Sequence, residues 1–561
     1  MHGTERVENA PRADHSLGVT MTVPIRAVAL LLRRTALAWL LLPALAFAQD
    51  VARMDALASA RVADKSFMGA VLVARGDQVI LSKGYGFANL EWNIANTPTT
   101  KFRLGSITKQ FTATAILLLA EQGKLSLDDP LKKHWPNAPP AWDAVTIFHL
   151  LTHSSGIPNF TSNADFAQWK MNPSTPEQTI AHIRDKPLEF TPGDRMSYSN
   201  SGYVLLGMIV ERVSGKGYAD YLRDSIFKPL GMNDTGYDVS ATILPQRAAG
   251  YMPGFSNAPY TDMTVPHGAG GLYSTTEDLL RWTQGLFGGR LLSAASLEKM
   301  TTPYKGDYAF GVTVTTVGGQ KMVQHGGGIE GFNTQLNYFP DSKLTVAVLA
   351  NVNGNAPGQL AGQLAQIANG NEVKLSSERK SIELTRDKLD RLVGSYELTP
   401  MATMRITVVG TQLQSQLGGQ PVVPLFAESE TVFFPRVVEA ELTFELDASG
   451  KAAALVLKQN GQERRAPRIV ERTEVALPLA VLERYPGTYR LQPGFDIVIT
   501  VENGQLMSQA TGQGKAPLFA ESERKFFLKV ANAQVEFVGE GQRATELVLY
   551  QGGRETHAPR Q

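Results

Sequence analysis

Hydrophobic positions change their period several times along the chain. Gly69 to Arg75 (GAVLVAR) and Gln78 to Gly86 (QVILSKGYG) flank Gly76-Asp77, which predicts two strands joined by a two-residue hairpin. A helix over Val51 to Ala63 precedes them. The stretch Phe102 to Thr112 (FRLGSITKQFT) ends an extended segment. It opens an apolar helix, roughly Ile107 to Gln122, carrying Ile116, Leu117, Leu118 and Leu119. Residues 123 to 200 are rich in proline and predict loops with short helices. Helical patterns follow at Ser201 to Val213 and Tyr218 to Phe227, and Ser274-Thr275-Thr276-Glu277 reads as a capping box. From Tyr308 to Ala350 the texture is strand–turn–strand: YAFGVTV, KMVQHGG, FNTQLNYF and LTVAVLA. A helix near Gly358 to Ala368 closes this part. Strands, a helical middle and more strands predict one α+β domain with an antiparallel sheet over residues 49–370.

Residues 371–386 are polar and charged and read as a linker. Beyond it the chain repeats itself. Pro424-Leu425-Phe426-Ala427-Glu428-Ser429-Glu430 recurs identically as Pro517 to Glu523, and Leu392-Val393-Gly394-Ser395-Tyr396 matches Tyr485-Pro486-Gly487-Thr488-Tyr489. Ala466-Pro467-Arg468 recurs as Ala558-Pro559-Arg560. Short alternating runs between glycine-containing turns predict two small antiparallel β-barrels or sandwiches, at 387–470 and 478–561.

Composition adds two constraints. The chain is 43% hydrophobic and 19% charged with a formal net charge of +1, which gives no reason to expect a nucleic-acid partner. It has no cysteine, so it has no disulfides, no thiol nucleophile and no lipid-modified cysteine. At the N-terminus, Arg26, Arg33 and Arg34 precede an apolar run from Thr35 that ends Ala46-Phe47-Ala48. This is the layout of a signal peptide cleaved after Ala48, with Met21 as an alternative start. The run is shorter than the roughly 20 residues of a membrane span. A periplasmic or secreted protein with no stable span after cleavage is expected.

Three patterns carry candidate chemistry. Ser106 stands at a helix start with Lys109 on the same face one turn on. Free N–H groups there suit an oxyanion, and a lysine pressed against an apolar helix is a candidate base. The same residues also fit an N-cap serine followed by a solvated lysine. Ser-x-x-Lys recurs at Ser225–Lys228, Ser296–Lys299, Ser377–Lys380 and Ser522–Lys525. Tyr198-Ser199-Asn200 precedes an apolar helix; a phenol there relays protons and an amide holds a carbonyl or the lysine. The alternative is a turn tyrosine with an N-cap asparagine. His325-Gly326-Gly327-Gly328 follows a short strand, where glycines admit a substrate along the strand edge and a backbone N–H completes an oxyanion hole. A glycine hairpin turn fits it as well. His149 and His153 have a spacing metals use, but no third ligand is nearby, and Asp128-Asp129 reads as a turn.

Taken in order, Ser106-x-x-Lys109, Tyr198-x-Asn200 and His325-x-Gly327 resemble the three motifs of penicillin-recognising serine hydrolases. That group holds class C β-lactamases, D-Ala-D-Ala carboxypeptidases, D-aminopeptidases and esterases of β-lactamase fold. Leu150 to Pro158 (LLTHSSGIP) and Gly270 to Thr275 (GGLYST) resemble it too, and the two repeats resemble the appended barrels of D-aminopeptidases. The resemblance implies a β-lactamase/transpeptidase-like catalytic domain and acyl transfer without metal or cofactor. Ser106 would be the nucleophile, with Lys109 and Tyr198 sharing the base role. Asn200, His325, Gly327 and Gly328 would meet a small-molecule or peptide substrate, with cell-wall-derived peptides among the candidates. The oxyanion would rest on the N–H groups of Ser106 and Gly328. His325 stands where class C β-lactamases usually have lysine. A mostly neutral histidine lacks the charge for a β-lactam carboxylate, which weakens the expectation of efficient β-lactam hydrolysis.

Overall fold

The computed structural model describes residues 49–561, apart from 374–377, 400–401, 419, 437, 439, 460–461, 470–471, 493, 530–531, 540, 542 and 552–553. The expected signal segment, 1–48, lies outside the described residues. Residues 49–63 are helical.

A six-stranded antiparallel sheet organises the first part of the chain. Its strands are β1 (Gly69–Arg75), β2 (Gln78–Tyr85), β3 (Thr313–Val317), β4 (Gln320–Ile329), β5 (Phe332–Phe339) and β6 (Leu344–Ala350). Their spatial order is β2-β1-β6-β5-β4-β3. β6 is buried along its whole length, because helices Thr276–Phe287 and Ala356–Ala368 cover its two faces. That is why it reads as an unbroken apolar run rather than an alternating one. Across it, Val71 and Gln335 both lie opposite Val348.

The helical part packs beside this sheet. Helix α1 (Thr108–Glu121) is buried at nearly every position, and helix α2 (Asn200–Ser214) is buried from Ser201 to Val210. Phe111 anchors the contact, its ring centroid 4.1 Å from Trp282 and 5.7 Å from Phe227. Lys109, Gln110 and three threonines of α1 are buried along with its apolar residues, so this core helix carries polar groups inside as well.

Two local expectations shift. Tyr308 to Val312 does not join the sheet: Gly311 turns the chain at φ +70, and β3 begins at Thr313. The cap of helix Thr276–Phe287 is Thr275, whose side chain accepts from the Asp278 N–H at 3.2 Å. Ser274 instead pairs with Thr235 at 2.7 Å.

The two repeats are eight-stranded antiparallel sheets in simple meander order. Each closes on itself. In the first, Tyr396 bridges Arg468 and the Ile469 N–H donates to Ser395 O at 2.7 Å. In the second, Tyr489 bridges Arg560 and the Gln561 N–H donates to Thr488 O at 2.8 Å. Closure satisfies the edge strands that would otherwise stay open. The recurring Ala-Pro-Arg supplies the closing arginine: Arg468 donates to Ala452 O at 3.2 Å and Arg560 to Ala544 O at 3.0 Å. Each barrel has its own apolar core. Within the expected linker, the Ile382 N–H donates to Ala427 O at 2.8 Å and Arg379 pairs with Glu441. Its described C-terminal part is therefore docked on the first barrel.

Candidate active site

Ser106 lies in a single 3-10 turn, Gly105–Ile107, that feeds directly into α1. The turn needs Gly105, which sits at φ +55. A Cβ on Gly105 would also lie 2.8 Å from the Gly328 nitrogen. On the other side of the same approach, a Cβ on Gly327 would lie 1.9 Å from Leu104 O. These two glycines let β4 press its backbone against the serine turn, which brings the Gly328 amide beside it.

Lys109 is fully buried. Its Nζ lies 2.9 Å from Ser106 Oγ, 2.9 Å from Asn200 Oδ1 and 2.8 Å from Ala269 O. Burial pushes its pKa well below the ordinary ammonium range. A neutral amine has two hydrogens and one lone pair. Asn200 Oδ1 and Ala269 O only accept, and Ser106 Oγ can accept from the ammonium form; in the neutral amine the lone pair is free to take the Ser106 proton. Tyr198 donates its O–H to Ser106 Oγ at 2.9 Å. Burial raises the phenol pKa, so Tyr198 stays protonated. Tyr198, Ser106 and Lys109 thus form one hydrogen-bonded chain that meets at Ser106 Oγ.

Asn200 opens α2, and its N–H donates to Asn159 Oδ1 at 3.1 Å. A pocket of about 450 Å³ opens over Ser106, lined by Asn200 and Gly328 among others. His325 and Gly327 do not line it. Gly327 packs on Leu104, as above. His325 is buried in an aromatic cluster, its ring centroid 5.7 Å from Tyr308 and 6.4 Å from Tyr198. Its Nδ1 contacts Gly326 O at 2.6 Å and its Nε2 contacts Tyr308 Oη at 3.0 Å. A carbonyl only accepts, so Nδ1 carries the proton and Nε2 accepts from Tyr308. Burial lowers the imidazole pKa to about 4. His325 is therefore neutral at pH 7.

Sequence reasoning missed three parts of this arrangement. The Ala269 carbonyl comes from a short helix, His267–Gly270, and a backbone acceptor leaves no side-chain signal. Tyr308 was read as a strand residue. His153, half of the spacing that metals use, packs its ring at a tilt with centroids 4.2 Å from Tyr198 and 4.6 Å from Tyr308. It also accepts the Ser199 N–H at 3.2 Å, which fixes the loop carrying Tyr198. His149 caps its own helix with Thr146. Among the described residues no group of three or more His, Asp or Glu is placed to hold a metal.

The competing Ser-x-x-Lys patterns do not form such a chain. Lys228 pairs with Asp224 at 3.3 Å, Lys299 is exposed, and Ser522 accepts the Lys525 backbone N–H in an exposed turn. Ser377 lies outside the described residues.

A family model described as Beta-lactamase matches residues 54–369, which carry Ser106, Lys109, Tyr198, Asn200 and His325. The chain belongs to the Beta-lactamase family. A second model, Domain of unknown function (DUF3471), matches residues 378–466 and again 471–558. This family member is 30% identical over 438 residues to a penicillin-binding protein of Bacillus subtilis (strain 168), covering 72% of this chain and 95% of the relative. Among solved structures it is similar to an octameric penicillin-binding protein homologue from Pyrococcus abyssi. That match has a TM-score of 0.55 and 29% identity over 74% of this chain and 99% of the other. It is also similar to a D-amino acid amidase from Ochrobactrum anthropi SV3, with a TM-score of 0.51 and 25% identity over 57% and 98% of the two chains. Among the described residues no helix is long and apolar enough to cross a membrane.

Proposed function

We propose that the protein is an exported serine hydrolase that works through an acyl-enzyme on a small amide, a D-amino-acid peptide or an ester. One observation carries this reading: the buried Lys109 Nζ has two acceptor-only partners and the Ser106 hydroxyl as its third. In this reading Ser106 attacks the carbonyl and its proton passes to the neutral Lys109. The oxyanion is held by the N–H groups of Ser106 and Gly328. The proton must then reach the leaving group, and Tyr198, the other partner of Oγ, is the relay. Water repeats the sequence to release the acyl group. The similarity to a D-amino acid amidase supports an amide substrate, and the neutral His325 argues against a β-lactam carboxylate as the preferred anchor.

The test is stopped-flow hydrolysis of a panel of D-amino acid amides, short aryl esters, nitrocefin and D-Ala-D-Ala peptides. Turnover far beyond one equivalent for amides or esters, absent in Ser106→Ala, is expected. Release that halts after one equivalent on every substrate would make the protein an acylated receptor instead.

A further inference from the structure

A cleft of about 1350 Å³ lies between the sheet and the first barrel, larger than sites for small molecules. Among its described lining residues there is no Lys, Arg, Asp, Glu or His, in a chain that is 19% charged. Its two walls differ. The barrel side is aliphatic, with Met404, Leu417 and Leu457. The sheet side is built of carboxamides. Gln335 on β5 lies opposite Gly326 of β4, and Asn337 lies opposite Gln324, so these side chains share one face of the sheet. A Cβ on Gly326 would lie 2.9 Å from Gln335 Oε1, so the glycine makes room for that oxygen at the cleft wall. Gln335 Nε2 donates to Gln324 Oε1 at 2.8 Å and to Asn337 Oδ1 at 2.7 Å, which uses both its hydrogens. Among the described residues, Gln335 Oε1 and the amino groups of Gln324 and Asn337 have no further partner. The wall thus offers two donors and one acceptor held in a fixed relation. Asn337 is only 3% exposed, and a buried amide donor is costly to leave unpaired.

We propose that this cleft is a binding site for an uncharged oligosaccharide, separate from the catalytic pocket. Hydroxyls, like carboxamides, both donate and accept, so the edge of a sugar chain meets the Gln324–Gln335–Asn337 set group for group. Pyranose rings also carry apolar C–H faces, which suit the aliphatic barrel wall. A charged polymer would give up hydration with no counter-charge in either wall to replace it. A peptide strand is the poorer match. Strand addition relies on main-chain hydrogen bonds, and β4 and β5 are already paired on both sides. Gly328 lines both the cleft and the pocket over Ser106, so a chain held in the cleft reaches the rim of that pocket. The proposal does not depend on the hydrolase reading, because it concerns binding that needs no turnover.

The test is calorimetry on the full chain carrying Ser106→Ala. The probes are N-acetylglucosamine tetramer, cellotetraose, the cationic glucosamine tetramer, anionic tetragalacturonate and tetra-alanine with both termini blocked. The two neutral sugars should bind with a Kd of about 1 mM or tighter, and the charged sugars and the peptide at least roughly tenfold more weakly. Gly362 supplies a blocking variant. It lines the cleft from helix Ala356–Ala368, and a Cβ there would meet nothing within 4 Å. Gly362→Trp should therefore fold normally, fill the cleft and cut neutral-sugar binding by about tenfold or more. With Ser106 restored, it should leave short aryl-ester hydrolysis within about twofold. Gln335→Leu, which removes the centre of the amide set, should also weaken sugar binding by about tenfold. Failure of both neutral sugars to bind, equal binding of a charged tetramer, tighter binding of the peptide, or unchanged sugar binding in Gly362→Trp would overturn the proposal.

Discussion

Lys109 concentrates the account at the scale of a single residue. A fully buried lysine is costly to keep charged, and its polar neighbours are Ser106 Oγ, Asn200 Oδ1 and Ala269 O. Two outcomes follow. Lys109 and Tyr198 converge on one oxygen, so Lys109→Ala and Tyr198→Phe should each lower the rate by about 10²–10⁴, with little further loss in the double variant. Fully multiplicative losses in steady-state kinetics would contradict a coupled pair. The pH profile follows from the two shifts. Lys109 works as a base only when deprotonated, and its pKa is lowered. The rate should therefore rise with pH through that lowered pKa and level off well below the ordinary lysine range. Tyr198, whose pKa is raised, stays protonated well into the alkaline range and should not end the plateau below pH 10. A rate that climbs steadily to pH 10 would show an ordinary lysine pKa. The spacing Ser106-x-x-Lys109 was legible in the sequence because it is local. The reason it differs from the other Ser-x-x-Lys pairs was not, because Ala269 and Asn200 arrive from elsewhere in the chain.

At the scale of elements, the site depends on how closely β4 meets the turn before α1. The sequence showed the strand and the helix as separate periodic segments, and β6 was legible to the residue from its apolar run. It could not show that Gly327 faces Leu104 while Gly328 faces the pocket, since that follows from tertiary approach. The same limit explains His325: the motif marked the residue, but only packing shows it turned toward Tyr308 rather than into the pocket. Gly327→Ala puts a methyl where Leu104 O now lies 1.9 Å from the Cβ position, and a backbone atom cannot yield as a side chain can. Thr334 Oγ1 donates to that same carbonyl at 2.7 Å, so it has no slack. Gly327→Ala should cost roughly 1–3 kcal/mol of stability and reduce labelling of Ser106 by a fluorophosphonate more than tenfold. Full labelling at wild-type rate would show that the approach of β4 is not needed for reactivity.

The whole molecule was legible in outline because repeats and periodicity are properties of long stretches. The duplicated seven-residue strings mark equivalent strand–turn segments of two barrels, and the shared Ala-Pro-Arg marks their closure. The contact between parts was not legible. A cleft of about 1350 Å³ separates the sheet face bearing Gln324, Gln335 and Asn337 from first-barrel residues such as Met404, Leu417 and Leu457. The catalytic core and the barrel cores are therefore distinct apolar clusters. A chain ending at Asn371, before the segment docked on the first barrel, should fold and keep Ser106 reactive. Small-ester hydrolysis should stay within about tenfold, roughly 1.4 kcal/mol, while bulkier acyl groups gain access along the Gly326–Gly328 wall of the cleft. An insoluble or unreactive product would show that the barrels complete the core, and unchanged selectivity would place them away from substrate.

The central claim is that Ser106, activated by Lys109, becomes acylated and then released. The most direct measurement is mass spectrometry of protein quenched during turnover of phenylalanine p-nitrophenyl ester, followed by peptide mapping. The account predicts a single acyl adduct on Ser106, formed and lost at rates consistent with steady-state turnover, absent in Ser106→Ala and accumulating in neither Lys109→Ala nor unreacted protein. An adduct on any other residue, or turnover that survives in Ser106→Ala, would contradict it.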